Sequence, residues 1–405
     1  MAIVAVIGSS FCHQEKVCAA VSERLGYTHL TDAAILQDVS TRFDVPVVKL
    51  ERAIYQPPSV FNKFTREKER YISYIRSSLG NIVEEDNLVL EGFPVLLLPP
   101  NLTHVLKVCL MATHSFRTHV ALSGSDVKKK DIEKALKKND QELMQWTQYL
   151  FQLGPHDASL YDLIVPMHST SIEEAVGLIA RNVAKPALKT TDSSLQAVKD
   201  FQLAGRVGIA LAAKGHDVGV TAEKGVVTML INKYTMRLDA LERELVDIAR
   251  GVTGVKDANT RIGQGFHQPN IYFNLDAEMP QKVLLVDDEK DFVHVLSERL
   301  KSRSFESAIA YNGEEALSIL ETDEPDVMVL DLKMPGIDGI EVLRKVRQSH
   351  PDTQVIILTG HGSEREEALA RELGAFAYLH KPVDIEVLAK TMKEAYRKIE
   401  KSSGE

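Results

Sequence analysis

The sequence is poor in cysteine and has no long apolar run. Its three cysteines, Cys12, Cys18 and Cys109, form no CxxC pair and no zinc-finger spacing, which excludes a disulfide-stapled domain and a zinc module of the usual spacing. Reduced thiols of a cytoplasmic protein are therefore expected. No apolar stretch approaches the roughly 20 residues of a membrane-spanning helix. The opening segment MAIVAVIGSS lacks the basic start of a signal peptide and is typical of a buried strand.

A strong excess of basic residues is also missing. The 405 residues carry a formal net charge of −9, and the segment from Gln281 onward has 17 lysines and arginines against 25 acidic residues. Residues 1–280 are therefore close to neutral. Neither part has the charge of a nucleic-acid-binding protein, and no helix-turn-helix pattern follows the last apolar run. The apolar content of 44% is that of a globular protein, and the length predicts two to four domains.

Short apolar runs alternate with helical patterns between residues 282 and 398. The runs are VLLV, SAIAY, DVMVLDL, QVIILTG and AFAYL. Between the first two runs, Phe292, Leu296 and Leu300 recur at the spacing of one helix face. This alternation predicts βαβ units and a parallel sheet that is buried on both faces. In such sheets, ligands bind at the carboxyl ends of the strands.

Polar side chains stand at the carboxyl ends of four of these predicted strands: Asp287 with Asp288, then Asp331, Thr359 and Lys381. A parallel sheet would bring them together, although they lie far apart in the sequence. Three clustered carboxylates repel one another unless a cation lies among them, and Mg²⁺ suits such oxygen ligands. Asp331 can then attack a phosphoryl donor, while Lys381 and the metal neutralise charge and Thr359 binds a phosphoryl oxygen. The five residues therefore predict phosphoryl transfer to a carboxylate.

This C-terminal segment resembles the receiver domain of two-component response regulators, and it carries the residue typical of that family at every signature position. The resemblance implies a flavodoxin-like (βα)5 fold. It also implies that Asp331 is the phosphoacceptor and that Asp287 and Asp288, together with Asp331, hold Mg²⁺. The partner implied by the resemblance is a histidine kinase or a phosphotransfer protein. A homodimer through the receiver is an expectation of the same kind.

The same resemblance assigns roles to three further residues. Thr359 and Lys381 correspond to the hydroxyl and the lysine that assist phosphoryl transfer in the family. Tyr378 falls at the position of the switch aromatic, and Pro382 follows the lysine as it usually does in receivers. Phosphorylation of Asp331 is therefore expected to reposition Thr359 and Tyr378. That movement would change the face formed by the fourth helix and the fifth strand of the domain.

The first 25 residues have the order of a phosphate-binding loop without its residues. AIVAVIG predicts a buried strand and residues 14–25 predict a helix, with Gly8 at the start of the loop between them. A functional loop of this kind needs G-x-x-x-x-G-K-[ST]. Counting from Gly8, this chain instead has His13, Gln14 and Glu15. Because the lysine is missing and Glu15 would repel a phosphate, Gly8 marks a degenerate cofactor-binding loop where nucleotide binding is doubtful.

Residues 1–187 resemble the cytidylate-kinase-like branch of nucleoside monophosphate kinases. The matching features are the strand–loop–helix opening, predicted strands in 87–100 and 103–112, Arg117, a helix that contains Asp140, a strand in 161–167 and a helix at 171–183. The departures are as clear as the matches. Besides the altered loop, Phe93 stands where an arginine would follow Gly92, and no arginine follows Asp140. The loss of several phosphate-binding cations predicts a kinase fold without kinase activity.

A small middle domain is predicted between two linkers, 184–194 and 265–280. Its α-β-β-α-β order resembles a BON domain, a family thought to bind lipid or other hydrophobic ligands. The supporting patterns are a helix with Phe201, Ile209 and Leu211, a hairpin at 216–233 with its turn at Glu223–Lys224–Gly225, a helix with Leu238, Leu241, Leu245 and Ile248, and a last strand in 251–263. Within a signalling chain, such a domain can also serve as an interaction module. No catalytic residue is indicated here.

Together these patterns predict a multidomain α/β protein: a degenerate cytidylate-kinase-like domain at 1–187, a BON-like domain at 195–264 and a receiver at 281–400. The main hypothesis is a response regulator that accepts phosphate on Asp331 and signals through modules that bind no DNA. One alternative is a nucleoside monophosphate kinase that the receiver controls, although Gln14 and Glu15 argue against it. Another is a phosphate sink or scaffold. Enzymatic activity beyond the receiver's own phosphorylation and dephosphorylation is not expected.

Overall fold

The structure is a computed structural model. It describes residues 2–123, 128–232, 238–263, 280, 282–301, 303, 305–360 and 363–402, with the side chains of 63, 64 and 400–402 left out. The chain forms two compact units, which are Met1–Pro57 with Glu67–Tyr272 and Pro58–Arg66 with Phe273–Glu405. Among the described residues, no helix combines the length and the apolar character needed to cross a membrane.

A five-stranded parallel sheet organises the first part of unit one. Its strands are β1 (Ile3–Gly8), β2 (Thr28–Leu30), β3 (Leu88–Glu91), β4 (Val105–Met111) and β5 (Leu163–Pro166). They lie in the order β2-β3-β1-β4-β5. Alternate residues of β1 enter two different clusters, Ile3 and Ala5 on one face and Val4 and Val6 on the other. Helices therefore cover both faces of this sheet, as its continuous apolar strands predict.

The helices of this part are α1 (Gln14–Leu25), α2 (Asp32–Phe43), α3 (Val47–Tyr55), α5 (Glu67–Ile82), α6 (His114–Ser123), α7 (Lys129–Phe151) and α8 (Ile172–Val183). Helix α1 occupies the predicted residues. Helix α8 begins at a capping box in which Ser171 and Glu174 satisfy each other's backbone N–H groups. Trp146 of α7 is fully buried and donates its indole N–H to the carbonyl of Phe93, which fixes α7 against the end of β3.

The middle part of unit one contains α9 (Asp192–Ala212), β6 (Gly219–Glu223), β7 (Val226–Ile231), α10 (Leu238–Arg250) and β8 (Asp257–Ile262). Strand β7 pairs antiparallel with β6 and parallel with β8. The hairpin turns at Lys224 and Gly225, which both have positive φ angles. The backbone N–H groups of Lys224 and Gly225 donate to the buried carboxylate of Asp200 on α9. The α-β-β-α-β order is the one predicted from the sequence.

Unit two contains a second five-stranded parallel sheet in the order β10-β9-β11-β12-β13. Its strands are β9 (Val283–Val286), β10 (Ser307–Ala310), β11 (Val327–Leu330), β12 (Gln354–Thr359) and β13 (Ala377–His380). The helices between and after them are α11 (Lys290–Lys301), α12 (Gly313–Thr322), α13 (Gly339–Ser349), α14 (Glu364–Glu372) and α15 (Ile385–Ser402). All five predicted strands are present, and the α/β fold class is confirmed.

Unit two also includes the segment Pro58–Arg66, which contains the four-residue helix α4 (Asn62–Thr65). The side chain of Phe61 is fully buried in the same apolar cluster as Met328, Leu330 and Tyr378. No feature of the sequence around Phe61 predicts this placement, because an isolated aromatic residue carries no information about its distant neighbours.

Three predicted segments differ from the structure. In 87–100 the strand stops at Glu91, and a 3₁₀ helix, Phe93–Leu97, follows because Gly92 turns the chain with a φ of 98°. The linker 184–194 is shorter than predicted, since Thr191 caps a helix that begins at Asp192. In 251–263 only Asp257–Ile262 forms a strand. The predicted linker 265–280 lies almost entirely outside the described residues.

Candidate functional site

Three carboxylates meet at the carboxyl end of the second sheet. Asp287 and Asp288 follow β9, and Asp331 follows the neighbouring strand β11. Each of the three offers a carboxylate oxygen within 4.8 Å of the other two. Asp287 and Asp331 are buried, whereas Asp288 is half-buried. The parallel topology alone explains the meeting, because adjacent parallel strands end at the same edge of a sheet.

Lys381, which follows β13, lies at the centre of this acidic cluster. Its Nζ atom is 2.6 Å from Asp287 Oδ2, 3.1 Å from Glu289 Oε1 and 3.3 Å from Asp331 Oδ2. The same ammonium group lies 4.3 Å from the ring centroid of Phe292, within the range of a cation–π contact. Lys381 therefore neutralises only part of the negative charge, because its single positive charge faces the carboxylates of Asp287, Glu289 and Asp331.

The balance of charge affects the pKa values of both Asp287, which is buried, and Lys381, which is half-buried. Burial raises the pKa of Asp287 above its ordinary value, although hydrogen bonds from Lys381 and from the backbone N–H of Glu289 oppose the shift. Burial alone would lower the pKa of Lys381, but hydrogen bonding and charge interaction with Asp287 and Asp331 raise it instead. The ionised form of Asp287 is therefore held at a free-energy cost that a further cation would reduce.

Thr359 and Tyr378 lie beside this cluster on β12 and β13. Thr359 ends β12, is fully buried, and accepts a backbone hydrogen bond of 2.9 Å from Lys381 through its carbonyl. Tyr378 is only 7% exposed, so its ring points into the core of unit two. Its hydroxyl makes no hydrogen bond to any described group, and burial raises its pKa. A buried hydroxyl without a partner is unfavourable, so this ring position is held by packing.

The backbone of Asp331 is fixed by Gly339, the first residue of α13. A Cβ atom at this position would lie 2.2 Å from the carbonyl oxygen of Asp331 and 2.6 Å from Cα of Leu332. The N–H of Gly339 donates to the carbonyl of Leu332 at 2.9 Å. Only glycine permits this approach, which explains the glycine that ends the motif PGIDG.

Gly339→Ala is therefore expected to lower the free energy of unfolding of unit two by about 2 kcal/mol, because overpacking against a backbone forces the chain to shift. Gly360→Ala is the matched control, since its Cβ would meet Lys381 side-chain atoms at an ordinary 3.9 Å. Urea unfolding of both variants measures the difference. Equal stability of the two would contradict the steric role of Gly339.

The degenerate loop after β1 is held by its own chain. The backbone N–H of Ser10 donates to Asn139 Oδ1 at 3.0 Å. The buried guanidinium of Arg117 donates to the carbonyl of Ser10 at 2.8 Å and pairs with Asp140 Oδ1 at 2.7 Å. Phosphate-binding loops offer such N–H groups to the ligand. Here Asn139 of α7 supplies the acceptor, so one loop N–H that could bind phosphate is already used.

Side chains also fill the space above Gly8. A Cβ atom there would lie 2.8 Å from both Cys12 Sγ and Gln14 Oε1. Phe11 and His13 adopt positive φ angles of 60° and 65°, a conformation that glycine adopts most easily. The position of the expected arginine is taken by Phe93, which is 5% exposed and part of the core. The space next to the predicted site residue Gly8 is thus filled by side chains of its own loop.

Sequence reasoning missed two features. Glu289 joins the contacts of Lys381, and its exposed position directly after the acidic pair gave no reason to select it. In unit one, Cys18, His29 and Glu91 offer ligand atoms within 4.8 Å of one another. They come from α1, β2 and β3. No local spacing connects them, so no motif could have indicated the cluster.

Two family comparisons match separate parts of the chain. Residues 283–393 match the family model described as the response regulator receiver domain. Residues 3–169 match the family model described as the cytidylate kinase-like family. The first match contains every residue of the acidic cluster and its lysine. The second contains the degenerate loop together with Arg117 and Asp140.

Solved structures are similar to the C-terminal segment. A receiver domain of a Clostridium thermocellum response regulator is 34% identical, with coverage of 29% of this chain and 94% of that one and a TM-score of 0.28. A Francisella response regulator receiver domain is 32% identical, with 29% and 98% coverage and a TM-score of 0.28. A CheY-like receiver protein from Methanospirillum hungatei is 29% identical, with 30% and 97% coverage and a TM-score of 0.29. These similarities concern less than a third of this chain.

Proposed function

We propose, for a chain that belongs through residues 283–393 to the response regulator receiver family, that Asp331 accepts a phosphoryl group from a histidine kinase or a phosphotransfer protein. The observation that carries this assignment is the position of Lys381 between Asp287 and Asp331, at 2.6 and 3.3 Å. A nucleophilic carboxylate, a second carboxylate and a cation within reach are the groups that phosphoryl transfer needs.

The donor set fits Mg²⁺. Three carboxylates gathered within 4.8 Å offer hard oxygen ligands, and the raised pKa of Asp287, caused first by its burial, indicates charge that a divalent cation would relieve. Asp287, Asp288 and Asp331 would hold the ion. When bound, Mg²⁺ neutralises the charge on the transferring phosphoryl oxygens. In this proposal Lys381 assists as a cation, and Thr359 assists as a hydroxyl that binds a phosphoryl oxygen.

The transfer step uses few groups of the protein. A carboxylate oxygen of Asp331 forms a bond to phosphorus while the phosphorus–nitrogen bond of a phosphohistidine donor breaks, and the leaving imidazole takes up a proton. Lys381 faces the growing charge on the phosphoryl oxygens. The acyl phosphate that results is the signal, and the buried Thr359 and Tyr378 are the residues we expect to respond to it.

Radiolabelled acetyl phosphate tests this function directly. The full chain in Mg²⁺ buffer is expected to take up one phosphoryl group, in a bond that hydroxylamine cleaves because it is an acyl phosphate. Removal of Mg²⁺ by EDTA should prevent the uptake. A chain that takes up no label in the presence of Mg²⁺, or label that resists hydroxylamine, would refute the proposal.

Mg²⁺ is also expected to stabilise unit two against unfolding. An ion that binds only the folded state at about ten times its Kd adds about 1.4 kcal/mol. Asp288→Asn should remove most of this increment, whereas Asp291→Asn, which changes an exposed carboxylate at the start of α11, should leave it unchanged. Thermal unfolding with and without Mg²⁺ measures both. An unchanged increment in Asp288→Asn would place the ion elsewhere.

For the N-terminal part we propose a cytidylate-kinase-like fold that acts as a docking or sensor module and not as a kinase. The support is the use of the Ser10 N–H by Asn139 and the filled space above Gly8. Residues 1–187 and 195–264 then form non-DNA-binding modules before the receiver at 281–400, the middle one with a BON-like element order. Their role is to pass the state of the receiver to a partner.

The competing function is a nucleoside monophosphate kinase under receiver control. Calorimetric titration of ATP and CMP into the full chain, with and without beryllofluoride as a mimic of phosphorylated Asp331, separates the two. We expect no binding in either state. Binding that appears only with beryllofluoride would instead assign nucleotide handling to the N-terminal domain.

A further inference from the structure

A second group of metal-ligating side chains lies in unit one, outside both sites discussed above. Cys18 projects from α1, His29 lies on the edge strand β2, and Glu91 ends β3. Their ligand atoms, one each, all lie within 4.8 Å of one another. Cys18 is fully buried, and the side chains of His29 and Glu91 are 23% and 7% exposed. A sulfur, a nitrogen and an oxygen ligand therefore converge in a mostly closed space with one side reachable from solvent.

The geometry of His29 and Glu91 shows that they do not satisfy each other. Nε2 of His29 is 3.1 Å from Oε2 of Glu91. Nevertheless, both atoms are buried and neither makes a hydrogen bond of acceptable geometry within the described part of the chain. A buried polar atom without a hydrogen-bond partner is unfavourable. An ion bound between Nε2 of His29 and Oε2 of Glu91 would give both atoms a partner.

We propose that Cys18, His29 and Glu91 bind one divalent transition-metal ion of the zinc class. Thiolate, imidazole and carboxylate are the three ligand types that zinc takes in proteins, and three protein ligands with an open fourth position are common. Two nitrogen or oxygen ligands on a tetrahedral zinc lie about 3.3 Å apart, close to the observed 3.1 Å. Sulfur and nitrogen ligands of a tetrahedral zinc lie about 3.6 Å apart, so the sulfur, which is within 4.8 Å of the other two atoms, needs to move by roughly 1 to 1.5 Å at most.

The ligand set differs in kind from the acidic cluster of unit two. Softer sulfur and nitrogen ligands favour zinc-class ions, whereas a set made only of carboxylates favours Mg²⁺. The fourth position would be filled by water from the side on which His29 is partly exposed. Because the ligands come from α1, β2 and β3, a bound ion would join the helix that follows the degenerate loop to two strands of the sheet. The ion would therefore stabilise the N-terminal fold by linking α1 to β2 and β3.

Without an ion, the same groups would have to pair among themselves. Burial, and after it the charge of Glu91, raises the pKa of the Cys18 thiol, so the thiol would stay protonated and donate to Glu91. Such an arrangement binds no metal and gives no metal-dependent stability. The two alternatives therefore differ in a directly measurable way.

Cobalt(II) titration of the reduced full-length protein is the test, because a thiolate bound to Co²⁺ gives an intense near-ultraviolet charge-transfer band. We expect one equivalent of Co²⁺ to produce this band and Zn²⁺ to displace it. Mg²⁺ in excess keeps the acidic cluster of unit two occupied and adds no absorption. Absence of the band in the wild-type protein would overturn the proposal.

The variants make the assignment specific. Cys18→Ser should abolish the band, whereas Cys109→Ser, which changes a buried thiol on β4, should keep it. His29→Gln leaves the buried thiol in place and should weaken Co²⁺ binding at least tenfold, with the far-ultraviolet circular dichroism unchanged. A band that survives in Cys18→Ser, or wild-type affinity in His29→Gln, would refute the site even if Cys18→Ser folds poorly.

Zn²⁺ should also raise the melting temperature of the wild-type protein in a way that EDTA reverses, and it should have no such effect on His29→Gln. This readout does not depend on the receiver, so it separates failure of the zinc site from failure of the phosphoacceptor assignment. An equal increase in both proteins would mean that the ion binds elsewhere.

Discussion

Asp331→Asn is expected to lower the rate of phosphoryl uptake from acetyl phosphate by on the order of 1,000-fold or more, because the variant loses the attacking oxygen while other groups remain. The amide is nearly the same size as the carboxylate, so the buried position should stay filled. Lys381 would keep its 2.6 Å contact with Asp287. The change therefore removes chemistry with little loss of structure, and quantitative labelling over time measures it.

The matched control for this variant is Asp352→Asn, which changes an exposed carboxylate in the turn before β12. It should be labelled at the wild-type rate. Circular dichroism should show both variants folded. If Asp331→Asn is labelled as fast as Asp352→Asn, the phosphoryl group enters at another residue, and the role assigned to the acidic cluster is wrong.

The sheet of unit two could be predicted because its strands are continuous apolar runs. Such runs fit only a sheet covered on both faces, and the polar residues that end them must then share one edge. That is why the apolar pattern alone places Asp287, Asp331 and Lys381 together. The apolar pattern could not predict which side chains contact Asp287, Asp331 and Lys381. The pairing of Lys381 with Glu289 depends on loop geometry after β9 and β13, which no periodicity describes.

The domain built on the first sheet contains long-range contacts that sequence patterns could not predict. The missing lysine at Gln14 indicated a defective phosphate loop, but not what replaces the phosphate. The side chain of Asn139 in α7, more than 120 residues away, replaces the phosphate as the acceptor of the Ser10 N–H. The cluster of Cys18, His29 and Glu91 is a similar case. Long-range side-chain contacts are set by packing angles between elements, and a single sequence contains no direct signal for them.

Asp140→Ala is expected to lower the free energy of unfolding of unit one by about 2 kcal/mol, since Arg117 is buried although Asp140 is 44% exposed. Arg117 is 5% exposed, and its guanidinium makes a two-pronged pair with Asp140 at 2.7 and 3.1 Å. Removal of one partner leaves a buried positive charge without its carboxylate, which is far more unfavourable than the loss of an exposed ion pair. Because Arg117 also holds the Ser10 carbonyl, the degenerate loop should loosen as well.

Glu133→Ala is the control, since Glu133 lies on the same helix and pairs with Lys129 at 3.8 Å, with both side chains at least half exposed. Such a surface pair contributes at most about 0.5 kcal/mol. Urea unfolding measures the difference, and hydrogen exchange of the Ser10 amide reports on the loop. If the two variants are equally stable and the amide remains protected, Arg117 and Asp140 do not hold the loop closed. Nucleotide binding would then be opposed only by the missing lysine and by the side chains of Cys12 and Gln14 above Gly8.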